Sequence, residues 1–387
     1  MKRSMPFIFV MAMLHSPCAW AAIITTTADS GPGSLREAIA SATPGETLTF
    51  AVSGLVTLTS GELLITTNLT ITGPGASQLT VQRSTAAGTP DFRIFDIRSG
   101  TVTISGLTVN NGRSDSGGGI LNQARADLTL HDLVINGNAA TNAGGGIKNV
   151  GTLTLNRGTI SGNSAGGGRA SAGGGFDNES DMIVSNSRIE HNLAVGGANA
   201  DGIGGGINNS TTVLLINCTV SGNRAEGGSA GGNGSGGGIN NDGGTVTLTN
   251  CTVSGNSVSG GVSSAGGNAR GGGIANDLGT VDLDKCTVSG NSATGGTGDG
   301  GGIANKDGTV TLENSTVSGN SATPGAGAPA ADAVASGGLV NVGGSTMSLN
   351  HSPVTANTAA EGSLQPGCAV FDSVGSLELK NSIVAGN

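Results

Sequence analysis

The sequence predicts an all-β molecule: a right-handed, single-stranded parallel β-helix with a short capping helix at its N-terminal end. Three observations predict it. Glycine accounts for 72 of 387 residues, yet charged residues reach only 11%. The sequence between the glycines is rich in Thr, Val and Ile, side chains that suit a pleated strand. Three short blocks also recur in fixed order through most of the chain, which marks a solenoid. Abundant glycine signals disorder where charge is high and β-branched residues are scarce. Neither holds here, so the glycines belong at turns between short strands.

The repeat sets the phase of every strand. One block begins Gly-Gly-Gly-Ile and reaches an Asn, the next reads Gly-Thr-Val-Thr-Leu or a variant, and the third Cys-Thr-Val-Ser-Gly-Asn or a variant. The closing Asn falls at Asn138, Asn163, Asn192, Asn223, Asn256, Asn291, Asn320, Asn357 and Asn387, at spacings of 25 to 37 residues. Ten, eight and three residues before it, every unit carries an aliphatic residue or Met, as in Val246, Leu248 and Val253. A spacing of two is strand alternation, with one side chain in and the next out. A single unit cannot bury such a row, whereas stacked units fuse their rows into one core. With strands 4.8 Å apart, about eleven coils from Thr47 onward make a rod about 50 Å long.

The turns are expected to hold three columns of Asn. The closing Asn forms the first. Asn186, Asn217, Asn250, Asn314 and Asn381 form an interrupted second, and Asn122, Asn149, Asn178, Asn209, Asn241, Asn276, Asn305 and Asn341 a third. Stacked Asn amides can join in a hydrogen-bonded ladder. Length varies mainly between the closing Asn and the next Gly-rich start, where connections of 5, 9, 11, 12, 14, 8 and 15 residues show no fixed position. They are read as a fringe along one edge of the rod, the place where solenoids often carry binding.

Residues 1–21 read as a secretory signal: Lys2 and Arg3 lead an apolar stretch from Met5 to Leu14, and Ala19-Trp20-Ala21 offers small residues for cleavage. A lipoprotein reading would use Cys18, but Pro17 directly before it fits that poorly. The chain carries a net charge of −9, and losing Lys2 and Arg3 would leave 15 basic against 26 acidic residues, or −11. An acidic body disfavours nucleic acid and anionic lipid as partners. Residues 22–46 are assigned to an N-terminal cap and 47–387 to the repeats. Within the cap, Ser34-Leu35-Arg36-Glu37 reads as a capping box opening a helix whose apolar face is Ala38, Ile39 and Ala42.

Thr25 to Ser30, followed by Gly33-Ser34-Leu35-Arg36-Glu37-Ala38-Ile39, resembles the CSLREA domain, with Gly33 in place of that family's Cys. The stretches Leu69–Ala76 and Ile104–Val109 continue the resemblance. The later Gly-Gly-Gly-Ile and Ser-Gly-Asn units are similar to those of polymorphic outer-membrane proteins. The resemblance implies a pectin-lyase-like fold at the bacterial surface or outside the cell, with no catalytic residues to carry over.

The residues themselves offer little chemistry. Cleavage of acidic polysaccharides uses clustered carboxylates with a basic residue. On the outward positions of the long strand only Asp282 and Glu378 are acidic, and Asp282, Asp284 and Lys285 are the densest charged group. His131, His191 and His351 fall at different phases, and Gly295–Gly300 occurs once rather than in tandem as a calcium-binding repeat would. Cys218, Cys251 and Cys286 share one inward position, as buried thiols or with a disulfide between neighbouring coils. Thr152/Thr154, Thr245/Thr247 and Thr309/Thr311 line up outward, a pattern that can order water, but Leu214 and Asp282 interrupt it. No catalytic, cofactor-binding or metal residue is therefore assigned. The expected protein is a non-catalytic, adhesin-like β-helix, secreted or on the outer membrane, that contacts a surface protein or glycan through its edge loops. The alternative is a polysaccharide lyase or glycoside hydrolase. The sequence closes at Asn387 inside a repeat, so tail-to-tail pairing of last coils is also expected.

Overall fold

The computed structural model describes residues 21–168, 171–261, 266–296, 298–325, 336–359 and 368–387. The expected signal segment, apart from Ala21, lies outside the described residues, as does Cys18.

Every sheet pairing is parallel, and each joins a strand to its counterpart about one repeat later, so the chain is a parallel β-helix. Three sheets form its faces. The first, of 22 strands, takes two strands from each repeat, for example Ile274–Asp277 and Thr280–Asp284. The second has 12 strands, one per coil, for example Thr287–Ser289. The third has 14 strands, including Ser292–Gly295. Twelve coils at the interstrand spacing give a rod about 50 Å long. Stacking starts before Thr47: Ala21–Ile24 pairs in register with Thr47–Phe50.

The predicted inward rows form the core. Val246, Leu248 and Val253, with their counterparts in the preceding and following coils, are 0–2% exposed. In the last described coil Leu379 and Val384 are 47% and 41% exposed.

The closing Asn residues form one continuous ladder from Asn138 to Asn387. At each rung the amide Nδ2 donates to the next Asn Oδ1, as from Asn256 to Asn291 at 2.9 Å, and also to a carbonyl of the preceding coil, Val220 at 2.9 Å. The same Oδ1 accepts the backbone N–H of the Asn above it. The third column is a second complete ladder, with Nδ2-to-Oδ1 distances of 2.7–2.8 Å from Asn122 through Asn341 and Asp372 accepting at its end. The expected interrupted column is not a ladder: Asn217 reaches Asn186 at 3.2 Å on the surface, but the other Asn residues there bond elsewhere or to nothing in line. What that corner fixes is the backbone. Asp132, Arg157, Asn186, Asn217, Asn250, Lys285, Asn314, His351 and Asn381 all have φ between 48° and 54°. Asn recurs because its side chain tolerates the left-handed region better than most.

The Gly triplets have a steric cause. Gly271 opens its triplet at φ +61°, a Cβ on Gly272 would strike the Gly301 carbonyl, and one on Gly273 would lie 2.7 Å from the Gly302 carbonyl. Each triplet thus stacks backbone on backbone, with no room for a side chain.

The variable connections are not a fringe. They supply the third sheet. Two residues after the closing Asn of seven successive units stand Ala140, Ala165, Ala194, Ala225, Val258, Ala293 and Ala322, each at most 5% exposed. Ala225, Val258, Ala269 and Ala293 form a small apolar cluster of their own. Small size, rather than one identity, is fixed there, because the third face packs close to its neighbours. The extra length lies between the two paired ends of each connection.

The cap is a helix, Leu35–Ser41, with Leu35 and Ile39 buried against the first coils. Only half of the expected capping box forms. Ser34 Oγ accepts the Glu37 N–H at 3.2 Å, but the Ser34 N–H goes to the Gly31 carbonyl at 3.0 Å, leaving the Glu37 side chain no part in it. The motif's Arg does more. Arg36 binds Asp29 at 2.8 Å and the carbonyls of Gly61 and Glu62 at 2.7 and 2.8 Å. Asp29 Oδ2 in turn accepts from the backbone and hydroxyls of Thr59 and Ser60 at 2.8–3.0 Å. Burial works to raise the Asp29 carboxyl, but these donors outweigh it and hold the group well below the usual carboxylate range. Arg36 and Asp29 latch the cap to the rod.

Cys218, Cys251 and Cys286 are free thiols, each 2% exposed. Their column continues as Ser187, Ser315, Ser352 and Ser382. Each sulfur or hydroxyl accepts a backbone N–H from the coil above and donates to the carbonyl two residues before it, as with Cys251 Sγ, Cys218 N and Thr249 O. Ser replaces Cys because the position needs a small donor-acceptor, not a disulfide. The contact with Cys251, together with burial, raises the Cys218 and Cys286 thiols well above their ordinary range.

Candidate binding groove

The residues singled out on the long strand do not gather into a site. Asp282 stands in register between Thr247 and Thr311, and Glu378 lies three coils further on, paired with Lys380 at 2.8 Å. Lys285 contacts Asp284 at 3.3 Å on an open surface. His131 lies on this face, whereas His191 and His351 sit at two different corners. Among the described residues no three His, Cys, Asp or Glu side chains come together to hold a metal. Thr297 lies outside the described residues, and Gly298–Asp299 pairs as a strand with Ala269–Arg270 rather than forming a separate loop. The Thr rank is longer than expected, running Thr47, Thr70, Thr103, Thr129 and Thr154 across five successive coils, but Ile183, Leu214 and Asp282 then break it.

A different row does form a site. The residue after the inward Ile, Phe or Leu that closes each Gly-rich start points away from the core, and the register aligns Lys148, Asp177, Asn208, Asn240, Ala275, Ala304 and Val340. These positions are outward yet covered: Asp177 and Asn240 are 3% and 5% exposed. The cover is the third sheet's second set of strands, Gly202–Ile203, Gly234–Ser235 and Ala269–Arg270, which rises beside the row as a wall. Row and wall enclose a groove along the rod.

The floor is one hydrogen-bonded chain. Lys148 Nζ pairs with Asp177 Oδ2 and with Glu179 at 2.6 Å. Asn208 donates to the other Asp177 oxygen at 2.8 Å, Asn240 donates to Asn208 at 2.9 Å, and the Ser235 hydroxyl on the wall donates to Asn240 Oδ1 at 2.6 Å. The carboxylates raise the Lys148 ammonium above its usual range against the opposing effect of burial. Toward the C-terminal end the floor turns apolar at Ala275, Ala304 and Val340. At the groove's middle, a cavity of about 220 Å³ is lined by Asp201, Asn233, Asn240, Asp242, Arg270 and Asp277 among others. Arg270 reaches Asp277 at 3.4 Å, and Lys306 lies 3.8 Å from its other oxygen. On the wall, Asp201 Oδ1 accepts the Asn233 N–H at 2.7 Å, and Asn233 Oδ1 accepts the Asn268 N–H at 2.9 Å.

Two signals for this groove stand in the sequence. One is the polar run Lys148, Asp177, Asn208, Asn240 directly after Ile147, Phe176, Ile207 and Ile239, and the other is Asp201, Asn233 and Asn268, each three residues before a Gly triplet. Reading outward positions only on the long strand passes over the first. Treating the connections as structureless passes over the second.

No protein-family model matches the sequence, and no curated protein matches it. Solved structures similar to this one include a pectate lyase, at 13% identity and a TM-score of 0.46, covering 92% of this chain and 78% of that one. The A-module of an Azotobacter vinelandii mannuronan C-5 epimerase is similar at 12% identity and a TM-score of 0.45, covering 95% and 100%. The catalytic unit of a GH87 α-1,3-glucanase from Streptomyces thermodiastaticus is similar at 15% identity and a TM-score of 0.46, covering 95% and 69%. The fold of this chain rests on its own strand pairing, and the groove is read from its own residues.

Proposed function

We propose that the protein is an exported, non-catalytic glycan-binding β-helix whose ligand lies along the groove. The observation that carries this reading is the amide-and-hydroxyl lining of Asn233, Ser235 and Asn240 beside an open cavity of about 220 Å³. Amides both donate and accept, as sugar hydroxyls do, so a rank of them suits a hydroxyl-rich polymer. The floor amides are held by their neighbours and need little ordering on binding. In this reading residues 1–21 are a cleaved signal, the cap belongs with the CSLREA domain it resembles, and the rod works at the bacterial surface or outside the cell. No helix among the described residues is long and apolar enough to cross a membrane.

Binding is favoured over cleavage because the buried carboxylate of the floor, Asp177, already has both oxygens engaged, while Asp242 is exposed. Acid–base catalysis uses carboxyl groups shielded from water and free to exchange a proton. The second reading, a glycoside-cleaving enzyme, has one observation in its favour: Asp201, Asp242, Asp277 and Arg270 share the cavity. Calorimetric titration with oligosaccharides, alongside release of reducing or unsaturated ends, tests both. We expect binding without product, and at least ten-fold weaker binding by Asn240→Ala, a loss of about 1.4 kcal/mol. Product formation that Asp242→Asn abolishes would favour the enzyme. Binding to no saccharide would remove the glycan reading.

A further inference from the structure

We propose that the groove selects uncharged or amine-bearing glycan chains and rejects polyuronates. This rests on the glycan reading above and adds the chemical class of the ligand. The argument is one of charge commitment. Among the described residues, each cation along the groove is already engaged by a carboxylate: Lys148 by Asp177 and Glu179, and Arg270 and Lys306 by Asp277. A ligand carboxylate entering the cavity would have to share a cation whose charge Asp277 already offsets. The acids are in the opposite position. Asp201 and Asp242 line the cavity, and no cation among the described residues pairs with either. Asp201 spends one oxygen on the Asn233 N–H, and among the described residues its other oxygen accepts no hydrogen bond.

A uronate unit placed there meets like charge on two sides, and like-charge juxtaposition is a strong means of rejecting a wrong ligand. The chain's net charge of −9 adds a repulsive field of the same sign. A neutral sugar meets only the amides and the wall. A sugar bearing an ammonium group gains Asp201 and Asp242 as partners.

The test uses the full chain and three probes of equal length: a glucosamine hexamer, its N-acetylated form, and a galacturonate hexamer with and without calcium. The expected order is glucosamine tightest, the N-acetyl form next, and galacturonate at least ten-fold weaker than either. Raising salt from 0.01 to 0.15 M should weaken only the glucosamine hexamer, because screening acts on the charged pair alone. The double variant Asp201→Asn with Asp242→Asn should lower glucosamine affinity about ten-fold, more than it lowers that of the N-acetyl form, and so remove the preference for the amine. Asn is compatible with the fold at position 201, since Asn233 and Asn268 occupy it in the next two coils, and Asp242 is exposed. Galacturonate binding as tightly as the N-acetyl hexamer, with or without calcium, would overturn the charge argument while leaving the glycan reading intact. Binding by none of the three would remove the glycan reading itself.

Discussion

Asn256 and Asn250 lie six residues apart in the same coil, yet they do unrelated work. Asn256 is buried and makes four hydrogen bonds through its side chain, two as donor and two as acceptor. Replacing it with Leu would leave the Val220 carbonyl without this donor and the Asn223 amide without its acceptor. A buried group stripped of its partner costs about 1–3 kcal/mol, so Asn256→Leu should destabilise the rod by about 3–5 kcal/mol. Asn250 stands at a corner with φ 54°. Asn250→Ala loses only tolerance of that conformation, about 1 kcal/mol. Denaturant unfolding of the two variants checks the assignment, and equal losses would contradict it. Both residues are Asn at a fixed phase of the repeat, so the sequence cannot separate them. What separates them is which corner of the coil faces inward, and that emerges only from stacking.

The cap and the third sheet show where elements depart from their sequence pattern. The capping box predicts the helix, and the helix is there, but the reciprocal bond from Glu37 is replaced by a turn closing on Gly31. The latch between Arg36 and Asp29 spans the cap and was not legible, because no local rule pairs residues seven apart outside a helix. It has a pH consequence. Asp29 titrates below its ordinary value when folded, so its contribution is fully present above about pH 4 and is lost as pH falls below that. The protection factors of residues 24–42, corrected for the intrinsic pH dependence of exchange, should therefore fall between pH 5 and pH 3 more than those of the central coils. Asp29→Ala should produce the same loosening at neutral pH. Equal protection of the cap at both pH values would contradict the latch. The third sheet makes a second claim at this scale. Ser257–Ser259 and Ala269–Arg270 are its paired ends. Deleting residues 260–268 joins them into a five-residue connection matching Ala139–Ala143. That variant should keep its β-sheet circular dichroism and lose no more than about 2 kcal/mol, since loop closure depends weakly on length. The loss reflects backbone packing of glycines such as Gly261 against Gly228. Failure to fold would show that the inserted glycines, and not the paired ends, hold the third face.

At the scale of the whole molecule, the fold was legible because a fixed phase repeated nine times leaves one way to bury the aliphatic rows. The groove was not, because it lies between two elements whose spacing in sequence varies from coil to coil. Its wall comes from connections of changing length, and its floor from an outward position that only the wall makes sheltered. The central claim is that a saccharide lies in this groove and nowhere else on the rod. Amide hydrogen exchange with and without a bound glucosamine or N-acetylglucosamine hexamer tests it directly. Protection should rise in residues 201–208, 233–242 and 268–277, while Thr287–Ser289 and its neighbours on the second sheet stay unchanged. Protection centred instead on the third-sheet connections around Gly228 and Gly261, or on the Thr rank of the first sheet, would contradict the account.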